Sequence, residues 1–281
     1  LTLCIVLSIG MVGILSMAFF KGEETGGQGK TVIEDDKEHF FWEKMPEEVQ
    51  AEPVMETEVQ NTRYGHELAD PEYMRENHIQ AWESSQPDTV TFGFIGDILF
   101  DDEYAIMANL LRRGKTIDNG ISGDMLTRLQ GVDVLVANNE FPFTERGTPT
   151  EGKTYTFRAD ESTAAYLHDI GVDVAVLANN HIYDFGEIGL LDTLDVLERA
   201  GIPAIGAGRN LKEASAPLYF IVNDMKIAIV AATQIERLDN PDTKGATEDG
   251  AGVFRCWNPE KLYQVVAEAK EQSDFVIVFI H

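Results

Sequence analysis

The chain has 281 residues and a net charge of −26, with 48 acidic against 22 basic residues. That is enough for one large domain with additional segments, and an evenly acidic surface offers no basic footprint for nucleic acid. Two cysteines, one of them (Cys4) inside an apolar run, exclude a disulfide framework.

The chain opens on LTLCIVLSIGMVGILSMAFF, Leu1 to Phe20, with no charged residue before Lys21. Such a run is about the length a helix needs to cross a bilayer. A buried core helix is one alternative, and a signal peptide cut after Ser16-Met17-Ala18 is another. Apolar residues continue through that site to Phe20 without a polar region, which favours an uncleaved single-pass membrane anchor over residues 1–21, with the rest outside the cytoplasm. Residues 22–88 are different in kind, with 18 acidic against 5 basic residues, a Gly-rich start and sparse apolar residues. They cannot bury enough surface to offset their ordering entropy, so a mostly disordered acidic stalk is expected, with a helix over Pro71 to Ser84 ahead of the domain.

From Thr89 onward, short apolar runs alternate with amphipathic stretches. TVTFGFIG, VDVLVA, VDVAVLA, KIAIVAA and FVIVFI read as strands buried on both faces. DEYAIMANLLRR, STAAYLHDI, IGLLDTLDVLERA and PEKLYQVVAEAKE read as helices. Asp101 or Asp102, Ser162 and Asn258-Pro259 are the expected helix starts, and Gly171 and Gly201 the stops. The alternation predicts an α/β domain over 89–281 with a largely parallel sheet. Asn223-Asp224 between two apolar runs predicts a hairpin, making the sheet mixed.

Ligands of open α/β sheets collect beyond the carboxyl ends of the strands. Asp97 follows the first strand, Asn138-Asn139-Glu140 the second, Asn179-Asn180-His181 the third, and His281 the run FVIVFI. Four strands thus bring carboxylates, amides and imidazoles to what reads as one sheet edge, a donor set suited to Mn²⁺, Fe, Zn²⁺ or Mg²⁺. Gly131-Val132-Asp133-Val134 recurs as Gly171-Val172-Asp173-Val174, and each copy ends in Ala-Asn-Asn. Gly206 to Asn210 reads as a turn after a strand. Arg158 is either a surface residue or an anion clamp for substrate.

The blocks GFIGDILFDD, ANNEFPFT, YTFRAD, LANNHIYDFGEIGLLDTLDVLERAGIPAIGAGRNLKEA and VIVFIH resemble, in order, those of the CapA-type poly-γ-glutamate capsule-synthesis family, a branch of the calcineurin-like metallophosphoesterases. The resemblance covers about Val90 to His281. It implies a layered α/β/β/α sandwich with mixed sheets and one or two divalent metal ions. Position by position it implies Asp97, Glu140, Asn180 and His281 as metal ligands, and His181 as the proton donor or phosphate-stabilising histidine. Asp184, three residues past His181, is placed to orient its imidazole. The implied substrate is a phosphate ester or anionic polymer, and the implied partners are the membrane and subunits of polymer synthesis or export. Two departures stand out. Leu99 occupies the position where the phosphoesterase pattern has a histidine, and the final histidine pair would lie beyond His281. The domain is therefore expected to be incomplete at its C-terminus.

Overall fold

The computed structural model of the protein describes residues 62–235 and 243–281, together with the backbone of a strand at Leu3–Leu7. Two sheets lie face to face between two helical layers. This is the α/β/β/α sandwich that the resemblance implied, with one parallel and one mixed sheet.

The strands are β1 (Leu3–Leu7), β2 (Ile79–Ala81), β3 (Phe92–Ile98), β4 (Val134–Asn139), β5 (Val174–Val176), β6 (Ala204–Ile205), β7 (Ala207–Gly208), β8 (Leu218–Val222), β9 (Met225–Ala232), β10 (Gly252–Val253) and β11 (Phe275–Ile280). One sheet runs β3-β4-β5-β6, all parallel, and the other runs β1-β11-β9-β8-β2; β7 and β10 form a small antiparallel pair. The helices are α1 (Gly65–Leu68), α2 (Pro71–Glu76), α3 (Ala105–Arg113), α4 (Gly123–Leu129), α5 (Ala165–Ile170), α6 (Gly186–Arg199), α7 (Leu211–Ser215) and α8 (Glu260–Gln272).

Period-two alternation divides the strand side chains between layers. Val134, Val136, Val174 and Val176 face Phe220, Ile229, Ile277 and Phe279 across the gap between the sheets. Their sequence neighbours Leu135, Ala137, Ala175 and Leu177 pack outward beneath α3, α5 and α6, against Met107, Leu167, Leu190 and Leu197. On the far side, Ala228, Val230, Val276 and Val278 pack against Leu262, Val265 and Ala269 of α8. Burial on both faces explains why these runs are continuously apolar. The predicted hairpin is β8–β9: Asn223 and Asp224 have φ of 51° and 56°, the left-handed pair that a two-residue turn between twisted strands requires. The segment Gly206 to Asn210 is not one turn: a bend at Gly206, φ 83°, leads into the short strand β7, and Asn210 caps α7.

Four expectations need correction. Residues 62–88 are folded onto the domain instead of closing a stalk. The helix expected over Pro71 to Ser84 stops at Glu76; His78 then takes φ 53°, and Ile79–Ala81 pairs in parallel with β8. Tyr64 and Ile79 are buried in the α8-side core, and the buried Glu67 pairs with the buried Lys226 of β9 at 2.5 Å. The start of α3 is also misplaced. Neither Asp101 nor Asp102 caps it; Asp101 instead accepts from the backbone N–H groups of Glu103 and Arg158, each at 2.9 Å. Likewise Asp160, not Ser162, caps the helical turn before α5. Gly171 and Gly201 do end α5 and α6, at φ 92° and 69°.

Of the apolar run Leu1 to Phe20, Leu3–Leu7 is described, and its backbone is a strand parallel to β11. The rest of the run and residues 21–61 lie outside the described residues, and most of the expected anchor and most of the expected stalk lie there with them. Among the described residues, no helix is long and apolar enough to cross a membrane.

The repeated Gly-Val-Asp-Val has a structural explanation. Asp133 accepts from the N–H groups of Ser85 and Thr91 and from the Thr91 hydroxyl, at 2.6–2.7 Å, fixing the entry to β3. Asp173 accepts from Leu135 N–H at 2.7 Å and does the same for β4. The donors around Asp133 hold its carboxyl well below the usual range, the Ser85 N–H most strongly. A depressed folded-state pKa contributes stability that is present above the unfolded value near 4 and is lost as pH falls below it. Asp133→Asn is therefore expected to cost about 1 kcal/mol at neutral pH and to flatten acid destabilisation below about pH 4, read from denaturant midpoints across pH.

Candidate metal centre

The functional side chains gather where the gap between the two sheets opens, at the carboxyl ends of β3, β4, β5 and β11. The same alternation that fills the inter-sheet core delivers them. On β4 the inward series Val134, Val136 continues to Asn138 and then Glu140 beyond the strand; on β11 the series Ile277, Phe279 continues to His281. Past β5, Val176 and Ala178 are followed by Asn180. Strand β3 would break this rule, because Phe92 and Phe94 point inward and strict alternation would bring Gly96, not Asp97, to the centre. A bulge corrects it. The ladder pairs Ile95 with Ala137 and then Asp97 with Asn138, so Gly96 is the extra residue and Asp97 faces inward.

Ligand-type atoms of Asp97, Glu140 and His281 all lie within 4.8 Å of one another. Asn180 joins them through its Oδ1, 3.0 Å from His281 Nε2, and that nitrogen is also 3.4 Å from Glu140 Oε1. Asn138, fully buried, braces the group from behind. Its Nδ2 donates to Asp97 Oδ1 at 2.8 Å and to Glu140 Oε2, and its Oδ1 accepts from Asn179 Nδ2 at 3.1 Å. Asn179 in turn accepts from the backbone N–H groups of His181 and Ile182, which shapes the loop after β5.

The electrostatics fit a cation. Burial, and then the nearby charge of Glu140, push the Asp97 carboxyl above its ordinary value. Burial pulls His281 down, but its hydrogen bond to Glu140 and the charges of Glu140 and Asp97 outweigh it and raise it overall. Two carboxylates sharing a poorly solvated space is a costly arrangement that a divalent ion relieves, and carboxylate, amide and imidazole donors match Mn²⁺, Fe, Zn²⁺ or Mg²⁺.

His181 stands beside this cluster, its Nε2 4.0 Å from Glu140 Oε1. Its Nδ1 meets Asp184 Oδ2 at 2.8 Å, and its ring stacks on Phe157 with centroids 4.1 Å apart. Asp184 is completely buried. It accepts from Lys153 Nζ at 2.5 Å and from Phe157 N–H at 2.7 Å, while its backbone carbonyl accepts from Thr150 N–H at 2.8 Å.

The region 91–281 matches the family model described as bacterial capsule synthesis protein PGA_cap. The chain belongs to this family. It is 32% identical over 168 residues to a Mycobacterium tuberculosis protein named a probable polyglutamine synthesis accessory protein, covering 57% of this chain and 44% of that one. It is 26% identical over 208 residues to a capsule biosynthesis protein CapA of Bacillus anthracis, covering 69% and 46%. With a PGA biosynthesis protein CapA of Bacillus subtilis it shares 29% over 153 residues, covering 53% and 38%. The PGA_cap chain thus spans less than half the length of each of these relatives.

Asp97, Glu140, Asn180, His281, His181 and Asp184 all converge at this centre. The expected single sheet edge is in fact two: β3, β4 and β5 belong to one sheet, and β11, carrying His281, belongs to the other. Arg158 lies to one side. It is exposed, its guanidinium sits 4.8 Å from the Phe185 ring centroid, and it lines a cavity of about 170 Å³ together with Thr156 and Glu103. Lys153 gave no signal in the sequence, since it lies in a connecting segment without periodicity, and Phe157 was visible only as a member of the YTFRAD block. Asn138 was visible only as part of a polar strand end.

Proposed function

We propose that this PGA_cap protein is a metal-dependent phosphoester hydrolase or transferase acting in the synthesis of a cell-surface polymer of the poly-γ-glutamate type. The observation that carries the reading is one arrangement: three acidic and imidazole donors within 4.8 Å of one another, flanked by a histidine whose far nitrogen is fixed by a buried aspartate. Asp97, Glu140, His281 and Asn180 would hold one or two divalent ions. Bound there, such an ion supplies positive charge to a phosphoryl oxygen and acidity to water. Because the Asp184 carboxylate can only accept, His181 carries its proton on Nδ1, which leaves Nε2 to exchange a proton with the leaving or attacking oxygen. Phe157 covers one face of that imidazole and limits its rotation. Arg158 offers a cationic contact for an anionic substrate beside the cavity. The apolar run of residues 1–21 would anchor the protein in the membrane with the domain outside, next to subunits of polymer synthesis or export, and Leu3–Leu7 would then leave its pairing with β11.

A second reading is supported by the names of the relatives, one of which is an accessory protein. In it the domain is a non-catalytic anchored subunit that holds or guides the polymer. The two readings part in one experiment. The purified protein is assayed for bound metal and for hydrolysis of bis(p-nitrophenyl) phosphate, with and without chelator. Metal-dependent turnover, with a rise in melting temperature on adding Mn²⁺, is expected. Metal-free protein that binds polymer without turnover would establish the accessory role instead.

A further inference from the structure

We infer that Lys153 is a positioning residue that locks the two halves of the centre together. The inference rests on the reading of Asn180 as a ligand and His181 as the proton carrier. Lys153 belongs to neither element that bears them. It sits in the connection between β4 and α5, far from both in sequence, yet its ammonium is buried, with only 6% of its side chain exposed. Its Nζ donates at 2.5 Å to Asp184 Oδ1 and at 2.5 Å to the backbone carbonyl of Asn180. The first contact fixes the carboxylate whose other oxygen holds His181 Nδ1. The second fixes the peptide from which Asn180 extends its Oδ1 to within 3.0 Å of His281 Nε2.

A buried lysine needs an anionic partner, and Asp184 meets that need. The contact with Asn180 is not required by charge. What it adds is a rigid link, through one ammonium, between the ligand-bearing peptide and the imidazole one residue later. The surrounding segment is clamped to match, because Thr150 N–H and Phe157 N–H both bond Asp184 on either side of Lys153. Polar partners one step removed from a metal ligand typically change metal affinity or activity roughly 10-fold to 100-fold when lost.

The test uses Lys153→Met and Asp184→Asn in the full chain. Calorimetric titration with Mn²⁺ alone reads the Asn180 side, and the ¹H–¹⁵N signals of the His181 ring read the Asp184 side. Lys153→Met is expected to weaken Mn²⁺ binding about 10-fold and to lose the slowly exchanging Nδ1–H signal. Asp184→Asn strips Lys153 of its counterion, so it is expected to lose that signal and to weaken Mn²⁺ binding by about as much as Lys153→Met, with the double variant no worse than either, a non-additivity that general destabilisation does not produce. Retention of either property in folded Lys153→Met overturns the inference. Should Lys153→Met not fold, Lys153→Gln is read by the same two criteria. Should the parent itself take up no Mn²⁺, the metal reading fails, and the ring signal decides alone: lost in the Lys153 variant, the positioning role stands; kept, it falls.

Discussion

His181→Ala is expected to lower phosphodiester turnover about 100-fold while leaving bound metal almost unchanged, because proton transfer by a positioned side chain is commonly worth that factor or more. Asp97→Ala is expected to abolish both. The difference follows from where each side chain stands. Asp97 is one of the three converging donors, brought inward by the bulge at Gly96, and its removal leaves Glu140 and His281 as an incomplete shell. His181 is outside that group. Its Nδ1 is taken by Asp184, and its Nε2 stands 4.0 Å from Glu140 Oε1, beside the donors and not among them. Metal content by elemental analysis and turnover of bis(p-nitrophenyl) phosphate, measured on the same preparations, separate the two roles. Loss of metal from His181→Ala as complete as from Asp97→Ala would show that the imidazole is itself a ligand and not a proton carrier outside the shell.

How much of this centre the sequence displayed depended on how local its cause was. Asn138, Glu140, Asn180 and His281 follow apolar runs whose period-two pattern carries through the strand ends, so their common direction could be read along each run. Asp97 reached the same place by the opposite route. The pattern from Phe92 and Phe94 points it outward, and only the pairing of β3 with β4 reveals that Gly96 is skipped. The partition of the strands into two sheets was hidden for a similar reason. An apolar run buried on both faces looks the same in a parallel sheet and in a mixed one, so β11 was read onto the edge of β3, β4 and β5 when it lies across the sandwich from them. Lys153 and Phe157 acquire their roles only from contacts 24–31 residues away along the chain. Composition misled most in residues 62–88. The surplus of acid there is real, but Glu67 is consumed by Lys226, Tyr64 and Ile79 are buried, and Leu68, Met74 and Trp82 pack partly buried against the cores.

Glu67→Ala is accordingly expected to destabilise the domain by about 3–5 kcal/mol, the cost of leaving a buried partner charge without its counterion. Both members of the pair are nearly inaccessible, Glu67 at 7% and Lys226 at 5% exposure. Lys226 lies on β9, in the interior of the five-stranded sheet, opposite Ile221 of β8. Its ammonium sits 4.9 Å from the Tyr219 ring centroid and 5.8 Å from that of Tyr64. Those aromatic faces offer a partial substitute worth only about 0.5–2 kcal/mol each. A domain of this size loses roughly 2–4 °C of melting temperature per kcal/mol, so a fall of about 10 °C is the expected reading. The paired change Glu67→Leu with Lys226→Met removes both charges and keeps the volume, and is expected to recover most of that loss, since well-packed apolar groups commonly replace a buried ion pair without penalty. Residues 62–88 precede the region that matches the family model, so this pair measures how firmly that segment is built into the fold. A Glu67→Ala protein within about 1 kcal/mol of the parent would mean that the segment leaves the sheet readily and that the domain proper begins near β3, where composition had placed it.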